Sequence, residues 1–311
     1  MATKEKKTKE EKKYTETILY GGKVVVKFYE DSHQYWVSVN GSPFKRKSGA
    51  TTYIGIKDKS TALGIWQQQM TLDFLLKLID KGVNINEDLA VESVIQNDIA
   101  KDDAVDIGKE MHLWLERYIK FKLKKKGYEK MPEMPEIKEA VTGVNGFLEC
   151  EKQQKSVKYV SSERVVYSME YDSIGTLDVE FIVNGLYCLG DFKSSNGLYN
   201  SVRMQTACYA KYDEEERKKK VYKGRWALRF SKYTEKEYYR REERKKIIKA
   251  HIARIKGKDF KDYDIPPYQA FEAKFLDKNK GMFEDDFDAF LHAKALYEWD
   301  GRTDWYRNPE Y

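Results

Sequence analysis

The chain has 311 residues, with 57 Lys and Arg against 51 Asp and Glu, a net charge of +6 and a pI near 8.8. Its 35% charged and 41% hydrophobic residues describe a globular chain with a heavily charged surface, long enough for one large domain or two small ones. Cys150, Cys188 and Cys208 have no CxxC spacing, which excludes a zinc knuckle or a four-cysteine iron–sulfur cluster and fits a reducing compartment; no apolar run is long enough to span a bilayer, so no membrane partner is expected.

The first residues, MATKEKKTKEEKK, lack an apolar stretch and read as a disordered charged tail over 1–15 rather than a secretory signal. Lys23 to Tyr29 and Gln34 to Val39 alternate and predict a hairpin. Ser48 to Ile56 reads as a polar loop entering an apolar patch. A helix is expected from Ser60 to about Asp80, stopped by Gly82, then a weaker one over Glu87 to Ala100. Together 16–100 read as an N-terminal hairpin and helical region. A long helix follows from about Asp102 to Lys126, and another from Glu136 to Gln154. The period then falls from 3.6 to 2. Lys158 to Ser168, Gly175 to Val183 and Leu186 to Ser194 predict three consecutive strands. Gly197 to Tyr212 predicts a helix, Arg225 to Ser231 a fourth strand, and Thr234 to Lys256 a basic helix. Phe283 to Trp299 is expected to be helical within a C-terminal region, 233–311. This order implies an α/β (α+β) fold, a mixed sheet with flanking helices.

Chemistry concentrates in GTLDVEFIVNGLYCLGDFK, Gly175 to Lys193. Asn184-Gly185 is a two-residue hairpin signal, so Val183 should face Leu186 and Asp178 should lie opposite Asp191. Opposed Cβ atoms stand roughly 4.5–5.5 Å apart. Leu177, Val179, Phe181 and Val183 would form one apolar face, leaving Asp178, Glu180, Asp191 and Lys193 on the other. Two opposed carboxylates repel unless a divalent cation lies between them. A hard-metal site with a lysine beside it points to phosphodiester chemistry.

Other residues are candidates around this pair. Gly108, His112 and Glu116 share one face of the long helix. His112 also suits a buried structural role, and Glu116 is either a surface carboxylate or a partner that orients His112. Gln205 and Tyr209 share a face of the helix after the hairpin, where they would hold a phosphate or fix Lys193. Glu163 would add a carboxylate, although its strand position reads more simply as exposed. From Arg217 to Lys258 basic residues alternate with aromatics, which suits nucleic acid. Arg225, Arg229, Arg240, Arg241, Lys245 and Lys246 are the expected DNA contacts. Glu235, Glu237, Glu242 and Glu243 weaken that signal by pairing along the helix.

In order, G-x-x-x-H (Gly108 to His112), G-T-L-D (Gly175 to Asp178), D-F-K (Asp191 to Lys193) and Q-T-A-C-Y (Gln205 to Tyr209) resemble the motif series of the PD-(D/E)XK nuclease superfamily, closest to its RecB-like exonucleases. Ser48 to Trp66 and the His33-Gln-Tyr stretch are similar to the leader of phage-type exonucleases. The resemblance implies a restriction-endonuclease-like core over 101–232 and Mg²⁺- or Mn²⁺-dependent hydrolysis. It makes Asp178 and Asp191 metal ligands, helped by His112 and the carbonyl of Phe192. Lys193 would act on the attacking water and the phosphorane charge, with Gln205 and Tyr209 ordering the site. Its iron–sulfur branch is not implied, since the cysteines are missing. The expected protein is a deoxyribonuclease, most simply an exonuclease in phage or bacterial recombination. It would act on duplex ends or single strands in the (host) cytoplasm, with a single-strand annealing or binding protein as a candidate partner. A flap or junction endonuclease and a catalytically silent DNA-binding or virion protein are the alternatives.

Overall fold

The computed structural model describes residues 14–56, 60–278 and 282–300. The chain opens with a four-stranded antiparallel meander: β1 (Thr15–Leu19), β2 (Val24–Tyr29), β3 (Gln34–Val39) and β4 (Lys45–Lys47). The expected hairpin is β2–β3, and β1 and β4 extend it at either edge. Strand β1 begins at Thr15, inside the expected tail; residues 1–13 lie outside the described residues.

Seven helices follow among the described residues. The first two are α1 (Ala50–Ile54) and α2 (Ser60–Asp80). The third, α3 (Glu87–Lys122), is one helix of 36 residues where two were expected. Nothing between Ala100 and Asp102 breaks it, and Asn86 caps its start by accepting the Leu89 N–H at 3.0 Å. Helix α3 thus runs straight through the domain boundary expected at residue 100. Its inward stripe, Ile107, Met111, Trp114, Leu115, Tyr118 and Ile119, is buried at helical spacing.

Next come α4 (Lys138–Gln153), β5 (Val157–Ser168), β6 (Ser173–Val183), β7 (Leu186–Lys193), α5 (Asn200–Arg217), β8 (Gly224–Phe230), α6 (Glu235–Ile255), β9 (Phe271–Asp277) and α7 (Met282–Asp300). Strands β5 to β9 form a mixed sheet in chain order, antiparallel except for β7–β8, which α5 links in parallel. Helices α3 and α4 cover one face, with Val144 and Phe147 against Phe181, Phe192 and Phe230. Helices α1, α5 and α7 cover the other, with Tyr53, Cys208, Tyr212 and Phe290 against Val166, Leu177 and Leu189. Each fully buried side chain of this size contributes about 1.5–3 kcal/mol. The chain is therefore a mixed α/β protein. The segment beyond Lys258, to which the sequence assigned no role, edges the sheet as β9 and seals one face as α7. Helix α6 instead meets α2, where Arg244 pairs with Asp73 at 3.1 Å and Asp80 at 2.8 Å. No helix among the described residues is long and apolar enough to cross a membrane.

Candidate metal centre

Asn184 and Gly185 close the β6–β7 hairpin with φ of 50° and 83°, the left-handed pair that a tight turn needs. Val183 faces Leu186, and the ladder runs back to Val179 opposite Gly190. One further step would set Asp178 against Asp191. There the ladder ends, and Asp178 Oδ2 accepts the Phe192 N–H at 2.6 Å. The neighbouring ladder has a matching fault: Ser162 pairs with Val179 and Arg164 with Leu177, but Glu163 and Asp178 between them do not pair. Glu163 is left-handed, with φ of 50°. The in–out alternation inverts across this point. Leu177 packs with Val166 and Leu189 beneath α5, whereas Val179 and Phe181 face α3 and α4. This corrects the single apolar face expected from Leu177 to Val183.

The two unpaired residues carry carboxylates, and α3 brings His112 to them. One ligand atom each from His112, Glu163 and Asp178 lie within 4.8 Å of one another. His112 Nδ1 is 3.8 Å from Asp178 Oδ2. One turn before His112, Gly108 lets α3 come close; a Cβ there would stand 3.1 Å from Ser194 Oγ. Glu163 is not the exposed strand glutamate that simple alternation suggested. Burial, then Asp178 and Glu116, raise its carboxyl well above the usual range, against the pull of Lys120.

Asp191 is 1% exposed and lies against Lys193 Nζ at 2.7 Å. Asp191 Oδ2 is thus paired with the ammonium, while the buried Oδ1 has no hydrogen-bond partner among the described residues. Burial raises the Asp191 carboxyl; Lys193 opposes the shift and Asp178 adds to it. For Lys193, burial works against the charge, but Asp191 and Asp178 outweigh it and raise the ammonium's pKa. Lys193 Nζ also donates to Gln205 Oε1 at 3.2 Å, and Gln205 Nε2 donates to the Tyr209 hydroxyl at 3.3 Å. The Tyr209 ring lies directly over Gly175, where a Cβ would fall 2.2 Å from a ring carbon. The glycine therefore seats α5 on β6, and α5 in turn holds Lys193.

These residues fit a divalent cation. Two carboxylates and an imidazole converge, neither carboxylate in an ion pair with a Lys or Arg among the described residues, and a third carboxylate, buried and paired with Lys193, stands nearby. The compact group differs from the expected set: Glu163 is its third member, and Asp191 is turned toward Lys193. Phe192, expected to offer its carbonyl, reaches the site through its backbone N–H, which Asp178 accepts. Glu116 ion-pairs with Lys120 along α3, which agrees with the helix-surface carboxylate of the two roles expected for it. Tyr35 of β3 was not singled out by the sequence. Its hydroxyl shares a 2.9 Å hydrogen bond with Thr176 Oγ1, and the charges of Glu163 and Asp178 raise its pKa further after burial has done so. Nothing local marks a tyrosine from a separate sheet as a neighbour of the site.

The expected DNA contacts divide. Arg225 is 1% exposed. It pairs with Asp286 at 2.7 Å and donates to the Arg203 carbonyl at 2.7 Å, so it is a core residue and not a surface cation. Arg229 is mostly buried beside Glu272. Arg240 is exposed, Arg241 lies over the Tyr233 ring at 4.3 Å, Lys245 pairs with Glu242, and Lys246 pairs with Asp262 at 2.6 Å.

No protein-family model matches the chain, and no curated protein matches it significantly. Fold and site together define a mixed α/β protein in which a His–Glu–Asp group stands beside a buried Asp–Lys pair at an interruption of the central sheet.

Proposed function

We propose that the chain is a metal-dependent deoxyribonuclease with a PD-(D/E)XK-type core, acting on DNA from its ends. The observation that carries this reading is the buried Asp191 carboxylate, 2.7 Å from Lys193, next to the converging His112, Glu163 and Asp178. A divalent cation held by His112, Glu163, Asp178 and Asp191 would supply Lewis-acid polarisation of the phosphoryl group and a water of lowered pKa. Lys193 stays charged and places its ammonium against the developing negative charge of the phosphate. Gln205 accepts a hydrogen bond from that ammonium and donates one to the Tyr209 hydroxyl. The Phe192 N–H fixes the Asp178 carboxylate, so the donor set is arranged before substrate arrives.

The test is incubation of linear and covalently closed circular duplex with Mg²⁺, with EDTA, and with Asp191→Ala and Asp178→Ala proteins. Linear duplex should be degraded progressively with Mg²⁺ by the wild type only, and the closed circle should survive. Rapid nicking of the circle would replace the exonuclease reading with an endonuclease one. DNA bound but never cut, in Mg²⁺ or Mn²⁺, would overturn the enzymatic reading.

A further inference from the structure

Helix α3 changes character along its length. Its second half follows the ordinary rule, with the stripe from Ile107 to Ile119 turned inward and buried. Its first half reverses that rule. Ser93 and Asn97 are the buried side chains there, 2% and 8% exposed, while Val91, Val94, Ile95 and Ile99 are 46–60% exposed. Val91, Ile95 and Ile99 succeed one another four residues apart, so they form one outward row rather than scattered side chains. Helix α2, on which this half packs, buries none of its described side chains. An apolar row turned to solvent on a helix whose inner side is polar is the pattern of a surface that another molecule covers.

The same half of the helix is acidic. From Glu87 to Asp106 there are seven acids and one lysine, Lys101. Among the described residues only Asp106 of these acids is in an ion pair, with Lys109 at 3.6 Å. Asp98 and Asp102 follow Ile95 and Ile99 by three residues and share their side of the helix. On its flank the row borders a cleft of about 690 Å³ between α2, α3 and the end of α6. Val94, Asn97 and Asp98 line it from α3, with Leu72 of α2 and Ile252 and Ile255 of α6; Lys256 is the one cation among its lining residues. Asn97 Nδ2 donates to the Val94 carbonyl at 3.0 Å, but its buried Oδ1 has no hydrogen-bond partner. The unpaired acids and the unused amide oxygen are all acceptors, so their complement is a row of cationic donors beside apolar side chains.

We propose that this face of α3, with the cleft beside it, docks a basic amphipathic helix of a partner protein. The apolar side of that helix covers Val91, Val94, Ile95 and Ile99 and enters the cleft, and its lysines or arginines meet the unpaired carboxylates and Asn97 Oδ1. Charge disfavours the other covers. DNA and an anionic membrane surface are repelled by the acids, and a second copy laid on the same face sets acids against acids. None of these residues belongs to the metal centre, and the proposal does not rest on the nuclease reading.

The probe is a fluorescein-labelled peptide of Leu and Lys, with Leu recurring at helical spacing, added to the full chain and read by anisotropy. One control peptide has Glu in place of Lys. The other has the same residues reordered so that the Leu no longer share a face. Wild type should bind the Leu–Lys peptide at least about tenfold more tightly than either control. Its advantage over the Glu peptide should shrink as salt is added. Ile95→Ser with Ile99→Ser should weaken the Leu–Lys peptide by about tenfold, and Asp98→Lys with Asp102→Lys should remove the preference for Lys over Glu. All four positions are exposed, so circular dichroism melts of both variants should match wild type. Equal wild-type affinity for the three peptides overturns the proposal, whether or not a variant folds. Unchanged peptide affinity in the folded isoleucine variant does so too. A wild type that sediments as an oligomer beside a monomeric isoleucine variant would assign the face to a second copy, and a loss of DNA affinity in that variant would assign it to nucleic acid; either result overturns the partner helix. No arm reads cleavage, so failure of the nuclease reading would leave these outcomes as they stand.

Discussion

Glu163 offers the sharpest test of the metal centre, because its effect on stability should depend strongly on the cation. Its carboxyl is raised by burial and by Asp178 and Glu116. The folded state therefore holds the proton more tightly than the unfolded one. Stability of the metal-free protein is fully present below the ordinary glutamate value of 4.5 and falls as pH rises from there toward the raised folded value. The slope is about 1.4 kcal/mol per pH unit, so the loss by neutral pH is at most about 3.5 kcal/mol, less where water reaches the side chain. Glu163→Gln keeps the shape and removes the charge. In EDTA it should be more stable than wild type by about 1–3 kcal/mol at neutral pH, and by almost nothing near the ordinary glutamate value. With Mg²⁺ at about a hundred times its Kd, wild type should gain about 2.7 kcal/mol and the variant much less, so the variant's advantage shrinks by most of that amount. Urea melts at two pH values, with and without the cation, read all four cases. A variant less stable than wild type in EDTA at neutral pH, or an equal gain from Mg²⁺ in both proteins, would refute the reasoning.

The core arginine and the core glycine give further checks. Arg225→Ala should lower stability by about 3 kcal/mol in urea melts, since Asp286 would keep only Arg203, at 2.7 Å, as a basic partner. The DNA affinity of the folded fraction should not change; a loss of affinity at full stability would return Arg225 to the binding surface. Gly175→Ala would push a methyl into the Tyr209 ring and destabilise by about 1–3 kcal/mol. It should also lower Mg²⁺-dependent cleavage through Gln205 and Lys193, and full activity in that variant would break the proposed chain of support.

Local signals read well where they were strong. Asn184-Gly185 marked the hairpin and its register near the turn, and the helix expected over Asp102 to Lys126 falls within α3 for all but its last residues. What was missed depends on distant partners. Strand β9 (Phe271–Asp277) follows an irregular stretch and has a mixed pattern; it is a strand because β8 offers an unpaired edge. Arg225 looked like a surface cation in a basic run because its neutralising partner, Asp286, lies on α7. Glu163 looked exposed because a strict two-residue period was carried through the position where the strand turns over.

That reversal connects the core to the site. In an uninterrupted ladder Asp178 would sit beneath α5, on the face that already holds the buried Asp191–Lys193 pair, and a second carboxylate there would share one ammonium and meet the repulsion of Asp191. Turning the strand over at Glu163 and Asp178 puts Leu177 into that layer instead, where its burial contributes about 2 kcal/mol. The same turn carries both carboxylates out to His112 at the margin of the sheet. The left-handed backbone at Glu163 and the repulsion between acids oppose this arrangement, and apolar packing of Leu177 favours it. The core thus holds the carboxylates together before any cation binds. Replacing Leu177 with a smaller residue would therefore be expected to loosen the site from beneath, weakening Mg²⁺ binding as well as stability.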